Sequence, residues 1–251
     1  EDAKDSDIVI ITSGIARKPG QTRIELTQTN VNILKSITPE IVKVAPHALY
    51  IIVSNPVDIM TYVFTKISGL PENQIMGSGT ILDTARLRYG LSEHFKVAQG
   101  NIHAYVFGEH GDTSFIPWTG AYISGLSTDE YYEEMKAHGK DVKPLDKEAM
   151  LEYVQKSGGK VIAKKGATFY AVSATVCQLV GLILAASDSL ATVSSMLHGE
   201  YGIEDVCLST LTLVGPNGIQ GKVQMRMNNE EVALLKKSAE ALKEVIAQIE
   251  L

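Results

Sequence analysis

His110 is the residue in this chain best suited to moving a proton. It stands in Val106-Phe107-Gly108-Glu109-His110-Gly111-Asp112-Thr113, at the end of an apolar run from Ile102 to Phe107. The alternation of His103, Tyr105 and Phe107 with Ile102, Ala104 and Val106 predicts a strand over 102–107. The flanking glycines let the backbone turn sharply or let a ligand come close. An imidazole placed there titrates near neutral pH and suits acid–base work. On this stretch alone, a packed histidine that satisfies a loop carbonyl fits equally well. Leu82-Asp83-Thr84-Ala85-Arg86 adds a carboxylate and a guanidinium at i, i+3, which share a helix face. That spacing is also that of an ordinary helix ion pair. Arg17-Lys18-Pro19-Gly20-Gln21-Thr22-Arg23 places two guanidinium groups around a Pro-Gly turn. Val53-Ser54-Asn55-Pro56-Val57-Asp58 ends another apolar run with an amide side chain.

These groups need elements to hold them. Ile8 to Ile11 reads as a strand buried on both faces. A helix is predicted from Thr22 or Arg23, ending before Pro39, with helical pattern again over 38–45. Strands follow over 48–54 and 75–77, with an amphipathic helix over 58–68 between them. Thr80 can cap the helix that carries Asp83 and Arg86. Residues 127–156 read as an exposed helix, a loop and a helix. Gly158-Gly159 then breaks the pattern, and a long helix is predicted over 161–190. Strands are predicted over 193–197, 207–214 and, at an edge, 222–227. A closing helix over 230–249 shows the apolar stripe Val232, Leu235, Ala239, Leu242, Val245, Ile246 and Ile249.

Taken in order, the motifs resemble the lactate and malate dehydrogenase family from about Asp5 to Glu244. The fold this implies is α/β: a partial Rossmann-type parallel sheet over 1–77, then an α+β catalytic domain over 78–251. The family's Gly-x-Gly-x-x-Gly turn, which cradles the dinucleotide pyrophosphate, is absent from this sequence. The chain therefore reads as the latter part of a longer protein. By resemblance, NAD is the cofactor and a small 2-keto or 2-hydroxy acid the substrate. His110 is then the proton donor, Asp83 its supporting carboxylate, and Arg86 the fork that binds the substrate carboxylate. Arg23 polarises the carbonyl in the transition state. Asn55 touches both substrate and nicotinamide region, and Thr168 belongs to the pocket wall, with Val172 one turn further on. Thr12, Gly14 and Val53, with Asn55, lie along the cofactor.

Arg17 matches the family's selectivity position. Malate dehydrogenases carry arginine there, because a guanidinium can grip the second carboxylate of oxaloacetate. Glu109, the Pro117-Trp118-Thr119 segment and Thr168 are lactate-like. The resemblance therefore leans to L-lactate dehydrogenase, with malate dehydrogenase as the alternative. Arg88 and His103 match an arginine and a histidine that bind fructose 1,6-bisphosphate between subunits in activated bacterial members, which makes that effector and a homo-oligomer expectations as well. Solvated surface at a subunit contact is the plainer reading of the pair.

Composition sets the outer bounds. At 251 residues, 45% hydrophobic and 21% charged, the chain can bury a sizeable core in one or two domains. A net charge of -6 and no basic cluster with interleaved aromatics exclude a nucleic-acid surface. Cys177 and Cys207 sit in apolar stretches without metal-like spacing and read as buried thiols of a reducing compartment, the cytoplasm. No signal peptide is expected. The most apolar run, Phe169 to Ala186, carries Ser173, Thr175 and Gln178 and reads as a buried core helix, not a membrane span. Two other functions stay open: a catalytically silent fragment that assembles with other subunits, and a metal hydrolase using His110, Asp83 and Glu109, for which no second histidine has suitable spacing.

Overall fold

Four β-branched residues make the first strand, β1 (Ile8–Ile11). The computed structural model describes residues 3–15 and 22–251, and of Arg23 only the backbone. Arg17 and the Arg23 side chain therefore lie outside the described residues. β1 pairs in parallel with β2 (Leu49–Ile52), and β2 in parallel with β3 (Ile75–Gly77). The crossovers are α1 (Arg23–Val44) and α2 (Val57–Ser68), which pack against each other. β2 is buried throughout. β1 departs from the expected burial on both faces: it is an edge of the sheet, and Ile10 is 44% exposed.

α1 starts with a capping box. Glu25 N–H donates to the Thr22 hydroxyl, and the Glu25 carboxylate accepts from Thr22 N–H. Contrary to the sequence expectation, the helix does not end before Pro39 but runs through it to Val44. Proline removes a backbone donor, ordinarily a loss of about 3 kcal/mol inside a helix. Here the row Thr27, Val31, Leu34 and Thr38 is buried along one face. The Thr38 hydroxyl also donates to the Leu34 carbonyl at 2.7 Å. Burial of that face outweighs the lost bond.

The second half begins with α3 (Ile81–Phe95). The Thr80 hydroxyl does not cap it, as the sequence predicts, but donates to the Val106 carbonyl. The strand predicted over 102–107 forms only at its start, β4 (Ile102–His103), beside β5 (Tyr122–Ile123) and β6 (Leu126–Ser127). The rest is taken by other partners. Val106 N–H donates to the Thr84 hydroxyl at 3.0 Å, and Phe107 pairs with Phe115. α4 (Thr128–Ala137) and α5 (Lys147–Lys165) follow. α5 passes Gly158-Gly159 unbroken and stops at Gly166, whose φ is +79°. Interior glycine costs about 1 kcal/mol relative to alanine, which burial of Val154 and packing against α3 offset.

The single long helix predicted over 161–190 is thus not formed: its first residues belong to α5, and its apolar run makes a shorter helix, α6 (Tyr170–Ile183). It is not buried all round. Val176, Leu179 and Ile183 face the core, whereas Tyr170 is 71% exposed. Cys177 is exposed too, so of the two cysteines only Cys207 is a buried thiol. Among the described residues no helix is long and apolar enough to cross a membrane.

Then come β7 (Ser189–Ala191), β8 (Ser194–His198), β9 (Glu204–Ser209), β10 (Thr212–Gly215) and β11 (Gly218–Lys222). β11, β10 and β7 form one antiparallel sheet. The edge strand predicted over 222–227 lies earlier, over 218–222, because its partner β10 begins opposite Lys222, at Thr212. β8 and β9 instead extend the first sheet, in the order β1-β2-β3-β8-β9, through Gly77 paired with Ser194. The chain is α/β, with a mixed sheet flanked by helices. α7 (Asn229–Ile246) closes it, burying Leu235, Ser238, Ala239 and Leu242 against α2 and β9.

Candidate active site

The ends of the parallel strands converge on the His110 loop. Thr12, Ser13 and Gly14 follow β1, and Val53, Ser54 and Asn55 follow β2. With His110, Arg86 and α5 they enclose a cleft of about 660 Å3. Ligands of open α/β sheets bind at this end of the strands. A larger cleft of about 1000 Å3 opens at the opposite ends, by Asp7, Leu49 and Asn217. It holds none of the residues singled out from the sequence.

The His110 loop is pinned at four successive amides. Gly108 N–H donates to the Ser209 carbonyl at 3.0 Å, Glu109 N–H to the Ser238 hydroxyl at 2.8 Å, His110 N–H to Asp58 Oδ2 at 2.7 Å, and Gly111 N–H to the Glu109 carbonyl at 2.9 Å. Gly108 has φ +95°, and a Cβ there would press on the Ser238 hydroxyl, so this position requires glycine. A loop held this tightly gives the imidazole one orientation, with Nδ1 2.6 Å from Asp83 Oδ2. The other oxygen, Asp83 Oδ1, accepts from Arg86 Nη1 at 3.0 Å. Asp83 therefore fixes both groups from the first turn of α3, where the helix dipole favours its charge.

The electrostatics follow from this chain of contacts. Burial alone would hold His110 neutral, but the charge and hydrogen bond of Asp83 outweigh it and raise its pKa above the ordinary value. Burial would likewise raise Asp83; the charge and bond of His110, then Arg86, keep it below the usual carboxylate range. Both shifts favour imidazolium beside carboxylate, with Nε2 left for a reacting atom. The arrangement can donate a proton at one point while presenting a fixed cation, Arg86, beside it. Apart from its bond to Asp83, the Arg86 guanidinium makes no hydrogen bond among the described residues, so its free edge can grip a carboxylate bidentately. Arg86→Lys keeps the charge and loses the fork. It is expected to raise KM for a carboxylate substrate by roughly 10- to 100-fold, with a smaller change in kcat. Steady-state kinetics check this, and an unchanged KM would remove Arg86 from carboxylate binding.

The other expected residues are placed as follows. Asn55 is exposed to the cleft, while its carbonyl accepts from Asn30 Nδ2 at 2.9 Å. The same Asn30 accepts from Ile15 N–H at 2.8 Å, tying together the segments after β1 and β2. A Cβ on Gly14, φ +154°, would meet the Asn30 side chain at 3.3 Å. Thr168 and Val172 lie on the cleft wall beside Gly158 and Gly159. Arg88 and His103 lie outside the cleft. Arg88 Nε donates to the Ala104 carbonyl at 3.1 Å, next to the exposed His103, and its guanidinium covers the Tyr105 ring. Among the described residues no group of three or more His, Cys, Asp or Glu could hold a metal ion.

Sequence reasoning missed three residues. Asn30 and Ser238 are single polar side chains on α1 and α7. Asp58 read only as the start of an amphipathic helix. An acid in an otherwise apolar, buried helix was the available signal for Asp58; nothing local marked the others.

Comparison with known proteins places both halves of the chain in one family. Residues 1–77 match the lactate/malate dehydrogenase NAD binding domain, and residues 80–250 match the lactate/malate dehydrogenase alpha/beta C-terminal domain. The L-lactate dehydrogenase of Acetivibrio thermocellus is 45% identical over 251 residues, covering 100% of this chain and 78% of its own. L-lactate dehydrogenase 1 of Clostridium acetobutylicum is 47% identical over 249 residues, covering 99% and 79%. Among solved structures, an L-lactate dehydrogenase from Clostridium thermocellum superposes with a TM-score of 0.88 at 37% identity, covering 100% of this chain and 80% of its own. A lactate dehydrogenase from a Medee basin deep-sea metagenome library reaches 0.93 at 31%, covering 98% and 78%. Both halves of the sequence match models of one family, and the chain belongs to the lactate/malate dehydrogenase family.

Proposed function

We propose that this chain is an NAD-dependent L-lactate dehydrogenase that interconverts pyruvate and L-lactate. The observation that carries this is the His110–Asp83–Arg86 chain of contacts in the cleft at the strand ends. Arg86 binds the substrate carboxylate and so sets the keto carbon beside His110. His110 gives its Nε2 proton to the keto oxygen during reduction and takes it back during oxidation. Asp83 holds the ring in one tautomer and balances the imidazolium. Asn55 orients the substrate, Thr168 closes the wall near its methyl group, and Arg23 stabilises the developing alkoxide, a contribution of several kcal/mol in a water-poor site.

NAD, whose binding domain is matched by residues 1–77, supplies the hydride acceptor and donor. Thr12, Gly14, Val53 and Asn55 would hold its nicotinamide end. The residues present fit such a ligand, since Ser13 beside them carries a buried hydroxyl without a hydrogen-bond partner among the described residues. The glycine-rich phosphate turn is not part of this sequence. The test is NADH oxidation with pyruvate and with oxaloacetate, compared as kcat/KM. A pyruvate preference supports the lactate reading. An oxaloacetate preference replaces it with malate, and no turnover with either favours the silent fragment, which calorimetry with NADH would then examine.

Arg17 favours the malate alternative. Arg17→Gln is expected to lower kcat/KM for oxaloacetate by about 10- to 100-fold, the worth of one charge-assisted contact, and to leave pyruvate little changed. No loss of oxaloacetate turnover in that variant would end this role for Arg17. We further infer a division at residue 77 into cofactor and substrate units, a homo-oligomer, a cytoplasmic location, and fructose 1,6-bisphosphate as an effector at Arg88 and His103.

A further inference from the structure

We propose that Asp58 is a positioning residue for His110, fixing its backbone and setting a second carboxylate, besides Asp83, against the charge of its ring. The proposal rests on the acid–base role given to His110 above. Asp58 lies in the first turn of α2, and it is 3% exposed. Its Oδ2 accepts from His110 N–H at 2.7 Å and its Oδ1 from the Ser194 hydroxyl, on β8, at 2.6 Å. Those two bonds would be met by asparagine at far lower desolvation cost. A buried carboxylate here needs a cation, and no lysine or arginine bonds it among the described residues.

The charged and titratable groups around it are few. Glu109 and His110 face it from the loop, and Asp83 and Arg86 lie beyond His110 on α3. Cys207, on β9, is a buried thiol pushed upward and therefore neutral. His110 is the cation that interacts with Asp58 directly, and the attraction raises His110 in return. Burial pushes Asp58 up to about 6, against the lowering effect of its bonds to Ser194 and His110 N–H. It is thus ionised at neutral pH without being strongly so. When His110 yields its proton, Asp58 and Asp83 face a neutral ring, which favours its reprotonation.

The test uses the full chain without substrate. Asp58→Asn keeps both hydrogen bonds, with the amide oxygen accepting from His110 and the amide nitrogen donating to Ser194, and removes only the charge. The His110 imidazole, followed by NMR across pH, is expected to titrate lower than in the parent by roughly one pH unit. Ser194→Ala removes a bond that keeps Asp58 ionised, and a smaller shift in the same direction is expected. It decides the matter should the asparagine variant not fold. His110 titrations that coincide with the parent in the folded variants would overturn the proposal. Because this readout needs no turnover, it stands apart from any failure of the lactate reading. Given activity, the alkaline limb of pyruvate reduction moves with the titration, while kcat at low pH stays near the parent value. A purely structural role would change stability and leave that limb in place.

Discussion

His110→Gln is expected to lower kcat for pyruvate reduction by between about 100-fold and 10,000-fold, the range that a positioned general acid contributes. Glutamine preserves the backbone N–H that Asp58 accepts and can still meet Asp83 with its amide. It cannot deliver a proton. The loss should therefore fall on kcat and kcat/KM equally, with NADH affinity close to the parent value. Stability supplies a second readout. The folded pKa of His110 is raised, so its stabilising contribution is fully present below the unfolded value near 6.5 and is lost as pH rises through the folded value. Denaturant melts should show the variant weaker than the parent below that pH and nearly equal well above it. A variant that keeps its kcat would remove His110 from the chemistry altogether.

Asp83→Asn is expected to be nearly as damaging, on the order of 1,000-fold in kcat, because an amide can hold the ring in the wrong tautomer and cannot balance the imidazolium. The sign of the pH effect is fixed by the direction of each shift. Asp83 is lowered in the folded chain, so its contribution is present above about 3.8 and lost as pH falls through the folded value. Asparagine deletes that contribution at neutral pH. Burial then acts on His110 without its main counterweight, and the ring should titrate below its ordinary value. Pyruvate reduction would lose its alkaline limb at a lower pH than in the parent, by more than in Asp58→Asn. An unchanged pH profile with reduced kcat would mean that Asp83 only orients the ring. Arg86 keeps a hydrogen bond to the amide oxygen in this variant but loses its ion pair, so part of the loss should appear as a raised KM.

Much of the site is written locally. Asp83 and Arg86 share a face because i and i+3 neighbour one another on any helix, and they meet at 3.0 Å in the fold. The glycines around His110 mark a sharp turn by their chemistry alone, and Thr22 with Glu25 announces the start of α1. The parallel strands β1 to β3, each followed by a polar turn, follow from short apolar runs and their punctuation. The resemblance of the motifs to one family added the roles, and the family assignment stands.

The tertiary structure decided what depends on partners distant in sequence. Asp58 meets His110 across 52 residues, and Ser238 meets Glu109 across 129, pairings that no spacing rule encodes. Pro39 stays helical because its neighbours are buried, which a local propensity cannot know. The strand ends after His103 because Thr80 and Thr84, at the start of α3, take the backbone bonds of Val106. α6 is mostly apolar yet only half covered, since apolarity reports a tendency to be buried and not what surface is at hand to bury it. Residue type and short-range spacing thus determined which groups could do the chemistry. Long-range hydrogen bonding and burial decided how they are held and charged, because desolvation and Coulomb interaction act through space and not along the chain.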